Sequence, residues 1–167
     1  MNKTKLLISG LIYIGLIIIF IVIAFTKHSG GLLKDNEYLV TKVIDGDTIE
    51  VLKDGSKFRV RYLGINTPEI THTDKPNDCY ALEAKKFNEN FVLNKYVKLY
   101  KDTLDTDKYG RLLRYVYTNG ENVNLKFLEL GAAKSLIIPP NNNYSRKIIE
   151  LENTAKLKKL GLWGLCY

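Results

Sequence analysis

Hydrophobic and polar residues follow three different rhythms along this chain. From Leu6 to Phe25 no charge interrupts twenty residues, a length that at about 1.5 Å per residue spans roughly the 30 Å hydrocarbon core of a bilayer. A transmembrane helix is expected there, with 1–26 as cytoplasmic tip and anchor. Lys3 and Lys5 before the run outweigh Lys27 and His28 after it only slightly, which orients the rest of the chain outside. The competing reading is a signal peptide cleaved after Ala24, though the run exceeds the roughly 7–15 residues of an ordinary signal core. Residues 27–36, with Ser29-Gly30-Gly31, read as a linker, and 37–167 as the folded domain.

The second rhythm has period two. Tyr38 to Ile44, Thr48 to Lys53 and Lys57 to Ile65 are rich in Val, Ile and Tyr and are broken by Asp45-Gly46 and Asp54-Gly55, which predicts a three-strand meander. Asp54-Gly55 is a dipeptide suited to a tight hairpin, so the second and third strands should pair directly. Tyr96 to Lys101 and Arg111 to Thr118 predict two more strands, the latter ending in an Asn119-Gly120 turn.

The third rhythm is helical. Asp78 is placed to cap a helix from Cys79 to Asn94 that carries Ala84, Phe87 and Phe91 on one stripe. A short helix runs from Asn122 to Gly131. A longer one, Asn143 to Leu160, aligns Tyr144, Ile148, Leu151 and Ala155. The class is α+β with three helices, and five strands is the count of a small OB barrel, although pattern alone does not separate that barrel from other small α+β sheets.

Composition changes the picture modestly. The chain has 25 basic and 18 acidic residues; two of the basic and none of the acidic ones precede Lys27, so the remainder carries +5, a surplus that favours polyanions such as nucleic acid. The two cysteines, Cys79 and Cys166, form no zinc pattern. In an exported domain an even count favours a disulfide over two free buried thiols.

Three segments set acids or arginines beside tight turns: Ile44-Asp45-Gly46-Asp47-Thr48, Arg61 to Glu69 with its Asn66-Thr67-Pro68-Glu69 end, and Asp107-Lys108-Tyr109-Gly110-Arg111. Each alone is an ordinary turn. Asp-Gly-Asp is not an EF-hand, because Ile49 and Ser56 stand where oxygen ligands and a Glu are needed. Together, in order and spacing, the three resemble the signature of the staphylococcal nuclease family from about Tyr38 to Trp163.

That resemblance implies an OB-fold, calcium-dependent nuclease acting on DNA and RNA and leaving 3′-phosphates. It implies calcium ligation by Asp47, Asn66 and the backbone carbonyl of Thr67, with Asp45 and Glu69 reaching the ion through water; calcium takes six to eight oxygen ligands, which suits such a set. Glu69 would deprotonate the attacking water, and Arg61 and Arg111 would clamp phosphate with planar guanidinium forks. Arg59 shares a strand face with Arg61, and the spacing to Glu69 selects Arg61. Lys108 and Tyr109 match residues beside a terminal phosphate. The tail Gly161 to Cys166 resembles that of exported relatives, in support of a Cys79–Cys166 bridge.

Two departures stand out. Asn66 occupies the position of an aspartate in well-known members, which implies weaker calcium binding. Ser135-Leu136-Ile137-Ile138-Pro139-Pro140 lacks their base-lining tyrosines, which should raise KM more than it slows chemistry, since base stacking is worth roughly 1–3 kcal/mol. Two rival readings of the sequence are a non-catalytic nucleic-acid-binding OB module and a nuclease processing DNA for a membrane partner.

Overall fold

The computed structural model describes residues 36–71 and 73–167. The expected membrane helix and all of the linker before Asn36 lie outside the described residues, among which no helix is long and apolar enough to cross a membrane.

Strands β1 (Glu37–Val43), β2 (Thr48–Lys53) and β3 (Ser56–Tyr62) form the expected meander. Asp54 and Gly55, at φ 49° and 80°, supply the left-handed turn that sets the β2–β3 register Thr48↔Arg61 through Lys53↔Ser56. Strands β5 (Tyr96–Tyr100) and β6 (Leu112–Thr118) complete the set. The sheet runs β3-β2-β1-β5-β6, and a parallel pairing of β3 with β6, Val60↔Leu112 to Tyr62↔Arg114, closes it into a five-stranded OB-like barrel. The two-residue β7 (Glu121–Asn122) only extends β6.

Alternation decides which side chains enter the barrel. Val40, Ile49, Val51, Val60, Val97 and Val116 are fully buried or nearly so, β-branched residues that suit a pleated surface packed on one face. Three helices cover the barrel: α1 (Ala81–Val92), α2 (Val123–Glu129) and α3 (Ser145–Leu157), followed by the four-residue α4 (Leu162–Leu165). The predicted stripe of α1 is real, with Ala84 buried, Phe87 stacked on Phe91 at 5.1 Å, and Phe87 edge-on to Phe127 of α2. Ile148 anchors α3.

The structure corrects two sequence expectations and adds a strand pair. The third strand does not run through to Ile65, because Gly64 turns the backbone at φ 79°. Residues Gly64–Asn66 become a separate strand, β4, which pairs with β8 (Lys134–Leu136). That pair was missed, since three-residue strands carry too little periodicity to read. Asp78 does not cap α1: the N-cap residue is Tyr80 at φ 73°, with no side-chain cap bond. The expected disulfide is formed, Cys79 to Cys166 across 87 residues.

Candidate active site

Four stretches of chain meet around one open cavity of about 590 Å³: the β1–β2 turn, β3 with the segment after it, the β5–β6 loop, and the residues after β8. Asp45, Asp47, Arg61, Asn66, Glu69, Lys108, Tyr109 and Arg111 all line it. Of the residues expected to act on metal or phosphate, only Thr67 stands outside its lining.

The Asp45-Gly46-Asp47 turn is held from three sides. Asp45 Oδ1 accepts from the Asp47 amide at 2.9 Å, and the Asp45 carbonyl accepts from Asn88 Nδ2 of α1 at 3.1 Å. Thr67 donates its amide and hydroxyl to Asp47 Oδ2 at 2.8 and 3.1 Å. Thr67 packs so closely that a Cβ on Gly46 would come within 2.6 Å of its Oγ1, so the glycine of Asp-Gly-Asp is required by close approach. Asp47 is 3 % exposed. Burial pushes its carboxyl up to about 6; Arg61 works against that rise and neighbouring Asp45 adds to it.

Arg61, at the end of β3, is fixed rather than free. Its Nη1 donates to the carbonyls of Tyr62 and Ile65 at 2.6 and 2.8 Å, and its Nη2 to Asn66 Oδ1 at 2.8 Å. Its Nε lies against Asp47. Arg59, two residues earlier, is exposed and lines no part of the cavity, so Arg61 is the one of the two that faces it.

Arg111 is held differently. Asp107 accepts from the amides of Tyr109 and Arg111 at 2.9 and 3.0 Å and from Arg111 Nε at 2.7 Å. Partial burial raises the Asp107 carboxyl, but the bonds from Arg111 and Tyr109 outweigh it and hold the group below the usual range. The turn needs Gly110 at φ 77°. Among the described residues, no hydrogen bond engages either terminal nitrogen of Arg111, while the Tyr109 ring lies 5.4 Å from its guanidinium carbon.

Leu136 and Ile138 form part of the cavity wall and are 40 % and 57 % exposed. They lie in the stretch without tyrosines, so the wall there is aliphatic. Glu152 of α3 supports it, accepting from Ser135 N and Oγ at 3.0 and 2.9 Å.

The donors near Asp47 are hard oxygens: the carboxylates of Asp45 and Asp47 and the amide oxygen of Asn66. Their chemistry fits a divalent cation such as calcium, which would relieve the buried charge that now raises Asp47. Glu69 does not complete an acidic triad with them, since among the described residues no three His, Cys, Asp or Glu stand close enough together to hold a metal. Sequence reasoning also missed Asn88, Asp107 and Asp78 as supports. The i,i+4 spacing of Asp107 and Arg111 was the one legible signal.

The profile of the family described as staphylococcal nuclease homologue matches residues 59–164. The chain is 33 % identical over 165 residues to a thermonuclease of Staphylococcus intermedius, covering 95 % of this chain and 98 % of that protein. It is 36 % identical over 167 residues to a thermonuclease of Staphylococcus hyicus, covering 96 % and 99 %. With endonuclease YncB of Bacillus subtilis it shares 40 % identity over 146 residues, covering 84 % and 68 %.

Proposed function

This chain belongs to the staphylococcal nuclease family, and on that premise we propose that it is a calcium-dependent nuclease hydrolysing phosphodiester bonds of DNA and RNA to leave 3′-phosphates. The observation that carries the reading is the convergence of two buttressed arginines, Arg61 and Arg111, with Asp45, Asp47 and Glu69 around one cavity. A binding module has no need of a carboxylate base in the same cavity as two guanidinium groups.

Arg111 offers its two terminal nitrogens to the non-bridging phosphate oxygens as a parallel pair. Arg61 has three of its five N–H donors committed to the protein, so it contributes a fixed positive charge whose orientation is set before substrate arrives. Glu69 takes a proton from the attacking water, whose oxygen bonds to phosphorus as the bond to the 5′ oxygen breaks; the leaving 5′ oxygen takes its proton from solvent. Asp47, Asp45, Asn66 and the Thr67 carbonyl would hold calcium. The chemistry calcium supplies when bound is Lewis-acid charge beside the phosphate. Lys108 and Tyr109, on the exposed tip of the Arg111 loop, would meet a terminal phosphate.

Hydrolysis of end-labelled DNA and RNA, with calcium and with chelator, tests the reading. Calcium-dependent products ending in 3′-phosphate are expected. Binding without cleavage would point to the non-catalytic module instead. We further propose that Leu6 to Phe25 anchors the protein with its catalytic domain outside the cytoplasm; protease accessibility of the domain on intact cells, with the full-length chain in the membrane fraction, checks it.

A further inference from the structure

Glu69 has an exposed side chain, and among the described residues no hydrogen bond or ion pair holds its carboxylate. Its placement must therefore come from its backbone. The Glu69 amide donates to Asp78 Oδ2 at 3.0 Å, and the Asp78 amide donates back to the Glu69 carbonyl at 3.1 Å. Asp78 thus grips both peptide groups of Glu69 across the neck of a loop. A second rung lies inside it, where Thr71 bonds Asn77 Oδ1 through its amide at 3.0 Å and the Lys75 carbonyl through its hydroxyl at 2.7 Å. The next residue after Asp78 is Cys79, joined covalently to Cys166.

Asp78 stands two residues before Tyr80, the N-cap of α1, and its carboxylate makes no cap bond to that helix. It is used on Glu69 instead, and α1 starts uncapped. Violations of a local stability rule concentrate where function needs the group. We propose that Asp78, anchored through Cys79–Cys166, is a positioning residue that holds Glu69 in register with the cavity. The disulfide ties the neck of the loop to the chain's last helical turn, so the position of Glu69 depends on a covalent bond that a dithiol reductant can open. This rests on Glu69 being the general base.

A double-mutant cycle with calcium and a labelled single-stranded DNA tests it. Asp78→Ala should lower kcat at least about tenfold with KM within about twofold, since small misplacements of a reacting group cost up to roughly 10² in rate. Asp78→Asn keeps an acceptor oxygen and should recover most of the loss. In the Glu69→Gln background Asp78→Ala should cost nothing further, because the group it positions is gone. Cys166→Ser should share this signature, and dithiothreitol should slow the natural protein but not Cys166→Ser. Losses that add in the double mutant, an unchanged kcat in both Asp78→Ala and Cys166→Ser, or a fall in kcat matched by loss of the native circular dichroism spectrum would each overturn the proposal. An unchanged kcat in Glu69→Gln alone would instead remove Glu69 as the base, a separate failure.

Discussion

The guanidinium of Arg61 lies 3.0 Å from the carboxylate of Asp47, and the two side chains are only 12 % and 5 % exposed. A candidate phosphate clamp and a candidate metal ligand are thus also a buried ion pair at the barrel rim. Removing one partner of such a pair strands the other's charge, which costs roughly 3–5 kcal/mol.

The two arginines should therefore fail in different ways when replaced by lysine. Arg61→Lys gives up three hydrogen bonds to Tyr62, Ile65 and Asn66, and should lower unfolding free energy by about 1–3 kcal/mol as well as losing most activity. Arg111→Lys sits on a partly exposed loop and should lose activity with stability changed by less than about 1 kcal/mol. Urea unfolding beside steady-state kinetics separates them, and equal stability losses would contradict the distinction.

Glu69→Gln should leave the fold intact, because the bonds that hold its loop are made by its backbone. Turnover should drop by at least the roughly 10²-fold expected of a lost general base. Near-normal turnover would exclude Glu69 from proton transfer.

Calcium binding should weaken as pH falls through about 6, where Asp47 takes up a proton. The folded-state value is raised above the ordinary 3.8, so the stability from the protonated carboxyl is present below that value and is lost as pH rises through about 6. Calcium competes with that proton, and affinity should fall close to tenfold per pH unit below about 6. Calorimetric titration at pH 5 and pH 7 measures it; equal affinities would show that Asp47 is not a ligand.

Asn66→Asp should tighten calcium binding, since affinity rises with ligand charge. Asn66 Oδ1 now accepts from Arg61, and an aspartate there could keep that contact while adding charge. Unchanged affinity would mean that position 66 is no ligand in this chain.

Gly46→Ala should damage the site from outside the cavity. Its Cβ would meet Thr67 Oγ1 at 2.6 Å, and Thr67 is the donor that fixes Asp47. Overpacking of this kind costs about 1–3 kcal/mol. A variant with native stability and native calcium affinity would refute the close-approach argument.

The strands, their turns and most site residues were legible in the sequence because each rests on local order. Period-two alternation marks Val40, Val51 and Val60, Asp54-Gly55 fixes a register, and Arg61, Glu69 and Arg111 stand in short motifs whose order survives without coordinates. What only the tertiary structure decided are relations between distant residues. Asp78 reads locally as a helix cap, yet its carboxylate is taken by Glu69 nine positions away. Asn88 reads as one more polar helix position, yet it is fully buried and bonds both Tyr62 and the Asp45 carbonyl. The β4–β8 pair exists because Gly64 turns the chain toward Lys134–Leu136, seventy residues on. A polar side chain's partner is chosen by which donor or acceptor folding brings within about 3 Å of it, and sequence spacing does not encode that distance.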